Sequence, residues 1–116
     1  MPKVKQVLVV RRDLWLRTGT QIRLAVQAAV RAILEEAQME VVSEWLETGA
    51  KTEVYAANSR VDLELLYTTI RDAGKQPAWI VNSDHDKVHG PIPAAMAIGP
   101  GSAEDIDRLV DGLSNY

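Results

Sequence analysis

At 116 residues, 47% of them apolar and 25% charged, the chain has the size and composition of one soluble globular domain, residues 1–116, burying roughly two thirds of its unfolded surface. The absence of cysteine excludes disulfides, a thiolate nucleophile and a thiolate metal site. A net charge of −3 argues against a general nucleic-acid binder. Yet residues 1–31 hold seven Lys/Arg against one acid, and the remainder six against fifteen, so a basic face for polyphosphate stays open beside a chance asymmetry.

The N-terminal lysines precede an apolar run of only four residues before Arg11, too short for a signal sequence or a membrane span, and a cytoplasmic location is expected. QVLVV (6–10) reads as a strand buried on both faces, and RRDLWLRTG follows as a loop. Thr18 lies three residues before Gln21, a capping-box spacing that predicts a helix start. Ile22, Val26, Ala29, Ile33 and Ala37 then recur at helical period as the expected buried stripe, with Thr20, Arg23, Gln27 and Arg31 on another side. Met39, Val42 and Leu46, beside Val41 and Trp45, predict a second helix ended by Gly49.

KTEVYA (51–56) alternates as a strand. Ser59 and Asp62 open a helix whose core face is Leu63, Leu66, Tyr67, Ile70 and Ala73, ending at Gly74. PAWIV (77–81) and PAAMAIG (93–99) read as two more strands. Ser102 caps a last helix with Glu104 and Asp105 in its first turn, facing the core through Ile106, Leu109, Val110 and Leu113. The expected fold is therefore α/β, in the order β-α-α-β-α-β-β-α: a mixed, mostly parallel sheet of four strands with helices on both faces.

Nucleotide-binding motifs are absent: there is no GxGxxG and no P-loop. The amides of Gly19, Thr20 and Gln21 at a helix start can hold a phosphate or an oxyanion, or be satisfied by Thr18 and solvent. Between the last two strands, Asn82, Ser83, Asp84, His85, Asp86 and His89 crowd one loop. His-x3-His outside a helix is a weak metal signature, and neither a metal nor a Ser–His–Asp triad is expected there. The loop reads equally as an active site and as a solvated turn. Trp45 and Trp79 are expected in the core, whereas Trp15, between Arg12 and Arg17, either packs on its loop or stacks on a base.

KQVLVVRRDLWLRTG, the Trp45, Gly49 and Lys51 positions, and AIGPGSAEDIDRLVDGL with its terminal tyrosine together resemble the type 2 peptidyl-tRNA hydrolases, over nearly the whole chain. The resemblance implies a compact α/β domain that hydrolyses the ester between a peptide and the terminal ribose of tRNA, without metal or cofactor. It implies tRNA or peptidyl-tRNA as partner, and leaves a homodimer open. Arg11, Asp13, Leu14 and Gly19 match the family. Its reactive positions do not: the family lysine after Gly19 is Thr20, its helical histidine is Gln27, its aspartate falls on Asn82, and its threonine on Asp86. Asp72-Ala73-Gly74 mimics the family's aspartate-alanine-glycine but ends a helix.

Thr20, Gln27 and Asn82 can orient a water or an oxyanion but cannot act as a general base near neutral pH. Two alternatives follow. If the protein is an enzyme, His85 or Asp86 supplies the base, with Thr20, Gln27 and Asn82 positioning, and Arg11, Arg12, Asp13, Arg17, Gly19 and Arg23 holding substrate. Otherwise the fold serves binding of an RNA end, a nucleotide-like ligand or a protein, and the loop is a polar lip. Hydrolysis is expected to be weak or absent.

Overall fold

The β-branched run that opens the chain forms β1 (Val4–Arg11), buried along its whole length. Its side chains alternate: Val7 and Val9 enter one core, while Leu8 and Val10 enter packing on the opposite face. The structure is a computed structural model and describes residues 3–74, 76–83 and 92–116. After β1 come α1 (Thr18–Glu35), α2 (Met39–Glu47), β2 (Thr52–Ala57), α3 (Arg60–Ala73), β3 (Ala78–Ser83), β4 (Ile92–Ser102), α4 (Ala103–Val110) and β5 (Ser114–Asn115).

Among the described residues the sheet has five strands, in the order β3-β4-β1-β2-β5, where four were expected. The added strand is β5, two residues that pair antiparallel with Tyr55 and Ala56 of β2. So short a segment has no alternation to read. Only β1–β2 is parallel, joined by the long crossover through α1 and α2; β1–β4, β3–β4 and β2–β5 are antiparallel. The expectation of a mostly parallel sheet is corrected accordingly. It overlooked that β4 inserts between β1 and β3 and runs against both. The helices do cover both faces. Leu63 and Ile70 of α3 and Ile106 and Val110 of α4 pack with Val7 and Val9, and α1 packs on the side of Leu8, Val10 and Ala97.

The phase of α1 differs from the expected stripe. Its buried residues are Leu24, Ala28 and Ala32, whereas Ile22 and Val26 are 59% and 54% exposed. The helix lies on the sheet through its alanines, and their small side chains allow an approach close enough for Gln6 Nε2 to donate to the Ala29 carbonyl at 3.2 Å. The larger Ile22, Val26, Val30 and Leu34, four residues apart, form an outward row. Period alone identified an apolar side but not which of two apolar sides meets the sheet. Nor does Thr18 cap: it is the first helical residue, the N-cap is Arg17, and no side chain bonds there.

The other ends follow local chemistry. Ser59 accepts from the Asp62 amide at the start of α3, and Gly74 closes that helix at φ 67°, in the left-handed region that favours glycine. Asp72-Ala73-Gly74 is therefore a helix terminus. Ser102 caps α4 through the Asp105 amide. Gly99 is required twice over: its φ is 92°, and a Cβ there would lie 2.7 Å from the Lys5 carbonyl oxygen of β1.

One ion cluster sits within this frame. Lys5, 3% exposed, donates to Glu53 of β2 at 2.5 Å and to Asp107 of α4. Burial alone would lower its pKa, but the hydrogen bonds to Asp107 and Glu53 outweigh that and raise it, and Lys5 in turn lowers that of Glu53. The ammonium thus ties β1 to its parallel neighbour and to the last helix.

Candidate functional site

Because β1 and β3 both run against β4, their carboxyl ends meet at its beginning: Val10 pairs with Ala95, and Asn82 with Pro93. The loop from β1 to α1 rises from the same end. Arg11 fixes it. The guanidinium is buried, donates through Nε and Nη2 to the two carboxylate oxygens of Asp13 at 3.0 and 2.7 Å, and through Nη1 to the Pro93 carbonyl at 2.9 Å. Leu14 and Leu16 then pack inward against Val10, Leu24, Ala94 and Ala95.

Thr20 stands in the first turn of α1, which begins at this end, and Gln27 lies two turns further along the helix. Leu24, one turn beyond Thr20, packs in the same cluster as Val81. Gln27 and Val81 line a groove of about 440 Å³ together with Val26, Val30, Arg31 and Trp79, and Asn82 directly follows Val81. Gln27 thus faces the groove beside β3, Thr20 stands in the first turn of α1 one turn before Leu24, and Asn82 follows Val81 near the carboxyl end of β3. His85 and Asp86, with Asp84 and His89, fall outside the described residues.

The protonation chemistry of the described site is sparse. Its carboxylate is that of Asp13, held below the usual range by the hydrogen bonds from Arg11. It stays an ionised acceptor locked to a guanidinium, not a base poised near neutral pH. Thr20, Gln27 and Asn82 carry no charge and can only donate or accept hydrogen bonds.

The basic residues divide by what they already hold. Arg11 and Asp13 are committed to each other and to Pro93. Arg12 donates to the Asn115 carbonyl at 2.7 Å and lies over the Tyr116 ring, 6.0 Å from its centroid. Arg31 pairs with Glu35. Arg17 and Arg23 are exposed on the loop and the first turns of α1. At the start of α1, the Gln21 amide bonds to the Arg17 carbonyl at 3.0 Å, so it is not among the open donors expected there. Those that precede the first intrahelical bond are the amides of Thr18, Gly19 and Thr20. Gly19 has open space where a Cβ would stand.

Trp45 is buried, with its indole N–H on the Lys51 carbonyl, as expected of a core residue. Trp79 is only half-buried and lines the groove beside Gln27. That placement follows from β3 being an edge strand, a fact that strand pattern alone does not contain.

A profile described as peptidyl-tRNA hydrolase PTH2 matches residues 4–116. The chain is similar to proteins named peptidyl-tRNA hydrolase from three archaea. That of Methanocaldococcus jannaschii is 30% identical over 95% of this chain and 97% of the relative. That of Haloquadratum walsbyi is 30% identical over 97% and 100%, and that of Pyrobaculum aerophilum 26% over 97% and 98%.

Proposed function

This chain belongs to the PTH2 peptidyl-tRNA hydrolase family, and from that premise we propose that it binds the acceptor end of tRNA where β1 and β3 finish, with hydrolysis of the peptidyl ester weak or absent. What supports this reading is the chemistry of the side chains assigned to the site: Thr20, Gln27 and Asn82 are all neutral, and Asp13 is spent on Arg11. Attack on the ester needs a group that takes a proton from water, and losing a positioned base lowers the rate by roughly 10²–10⁴-fold. Amides and a hydroxyl retain the capacity to orient a water or the developing oxyanion.

Binding asks less of the site. Arg17 and Arg23 are exposed on the loop after β1 and on the first turns of α1, and phosphates need only such guanidinium groups, whereas Arg12 and Arg31 already hold Asn115 and Glu35. A cytoplasmic location belongs to the same reading; among the described residues no helix is long and apolar enough to cross a membrane. A homodimer also belongs to it, supported by the outward row Ile22, Val26, Val30 and Leu34.

The test is single-turnover hydrolysis of peptidyl-tRNA beside a direct measurement of tRNA binding. We expect salt-sensitive binding, with each phosphate contact adding about 0.7–0.9 to the log–log slope, and slow turnover that rises in the variant Thr20→Lys/Gln27→His/Asn82→Asp by about 10²-fold or more. Fast turnover that collapses in His85→Ala or Asp86→Ala would replace this reading with a relocated catalytic loop. A chain that neither binds tRNA nor cleaves peptidyl-tRNA would leave the fold serving a nucleotide-like ligand or a protein.

A further inference from the structure

Trp15 is the most exposed large apolar residue among those described, at 91%, and it sits at φ 56°. Each feature opposes folding to some degree. A side chain with a Cβ is strained in the left-handed region, and an indole left in water forgoes its burial. Neither follows from a loose loop. On one side the chain is pinned by the Arg11–Asp13 pair, and on the other the Leu16 carbonyl accepts from Gln21 Nε2 at 3.1 Å. Leu14 and Leu16 both turn into the core. The backbone twist at position 15 therefore holds the indole outward between two anchored neighbours.

Its surroundings identify a matching ligand. Arg12 and Arg17 flank it in sequence, and Tyr116 lies beneath the Arg12 guanidinium. Cations alternating with exposed aromatic rings complement a single strand of RNA, whose phosphates take the guanidinium groups while an unpaired base lies on a ring. We propose that Trp15 is the stacking platform for an unpaired nucleobase of the RNA end bound beside the carboxyl ends of β1 and β3. This rests on the tRNA-binding reading above and adds to it the part of the RNA that is gripped. Stacking on an indole uses the face that every base possesses, so the platform tolerates base identity.

The probes are a hairpin RNA with a four-nucleotide single-stranded 3′ end and the same hairpin made blunt, titrated while tryptophan fluorescence and anisotropy are recorded. The wild-type chain should bind the tailed hairpin with quenching of its exposed indole. Trp15→Ala should weaken that binding by about 5- to 100-fold, in line with roughly 1–3 kcal/mol per stacked base, and leave the blunt hairpin's affinity unchanged. Trp15→Phe should keep most of the affinity while removing most of the quench, a readout that a merely structural role would not move. Undiminished binding of the tailed hairpin by Trp15→Ala would sink the platform and leave the tRNA reading intact. Equal losses on both hairpins, or conversion of a dimer to a monomer in sedimentation, would assign the indole to something other than a base. If the wild-type chain binds neither hairpin nor tRNA, both readings fall together.

Discussion

Replacing Asp13 by alanine would leave the buried Arg11 guanidinium with the Pro93 carbonyl as its remaining acceptor. Removing one partner of a fully buried ion pair costs roughly 3–5 kcal/mol, whereas a fully exposed pair is worth about 0–1 kcal/mol. The Asp13 side chain is 34% exposed, so water can partly take its place. Two bonds of 3.0 and 2.7 Å to a guanidinium that cannot move outward put the loss between those limits, at about 1.5–3 kcal/mol. For a chain of this length that is a fall in Tm of roughly 5–15 °C. Urea denaturation should show the loss in the midpoint with m unchanged. The pH dependence has a definite sign. Arg11 lowers the Asp13 pKa from its ordinary 3.8, so the stabilisation is fully present above the ordinary carboxylate pKa. It disappears as pH falls through the lowered folded value. The gap between wild type and Asp13→Ala should therefore be constant near neutrality and shrink in acid. A loss under about 0.5 kcal/mol, or a gap that persists undiminished in acid, would refute the clamp as described.

Lys5→Ala should destabilise by about 2–4 kcal/mol, since it empties a buried position and frees Glu53 and Asp107 to repel each other. Because the Lys5 pKa is raised, its contribution should hold up to the ordinary value of 10.5 and vanish only as pH rises through the folded one, which alkaline denaturation would reveal. Gly99→Ala should cost about 2 kcal/mol or more, from a strained φ and a collision with the Lys5 carbonyl; thermal melts would measure it, and a neutral result would contradict the close approach. Val26→Glu should leave Tm within about 1–2 °C, because its side chain is exposed. If the outward row of α1 joins two copies, the same change should turn a sedimenting dimer into a monomer.

Much of the fold was legible because its signals are local. Ser59 and Gly74 bracket α3, Ser102 starts α4, and the unbroken apolar run of β1 announces burial on both faces. What escaped depended on partners far along the chain. The phase of α1 is set by how closely alanines approach the sheet, and two apolar sides of one helix look alike until the sheet is present. The direction of pairing turns on β4 inserting between β1 and β3, and β5 exists only because β2 offers an edge. For the site, spacing pointed to Thr20, Gln27 and Asn82, of which Gln27 lines the groove beside β3. Nothing in the residues around Arg11 said that its charge is consumed within the protein, since Asp13 two positions later reads equally as a partner and as a free acid. Trp79 was read as core because strand pattern carries no information about which strand lies at an edge.

The close approach at Gly99 bears on what kinship says about chemistry. At the Gly99 turn a backbone oxygen of β1 leaves no room for a side chain, a demand indifferent to whether any bond is ever broken nearby. The same is true of the clamp that steadies the loop after β1. Such places are fixed by packing geometry, whatever reactive groups stand around them. A chain can thus carry a family's frame from end to end while its reactive groups are set independently. In this chain the frame rests on Gly99 and the Arg11–Asp13 clamp, which commit the fold and leave its chemistry to other residues.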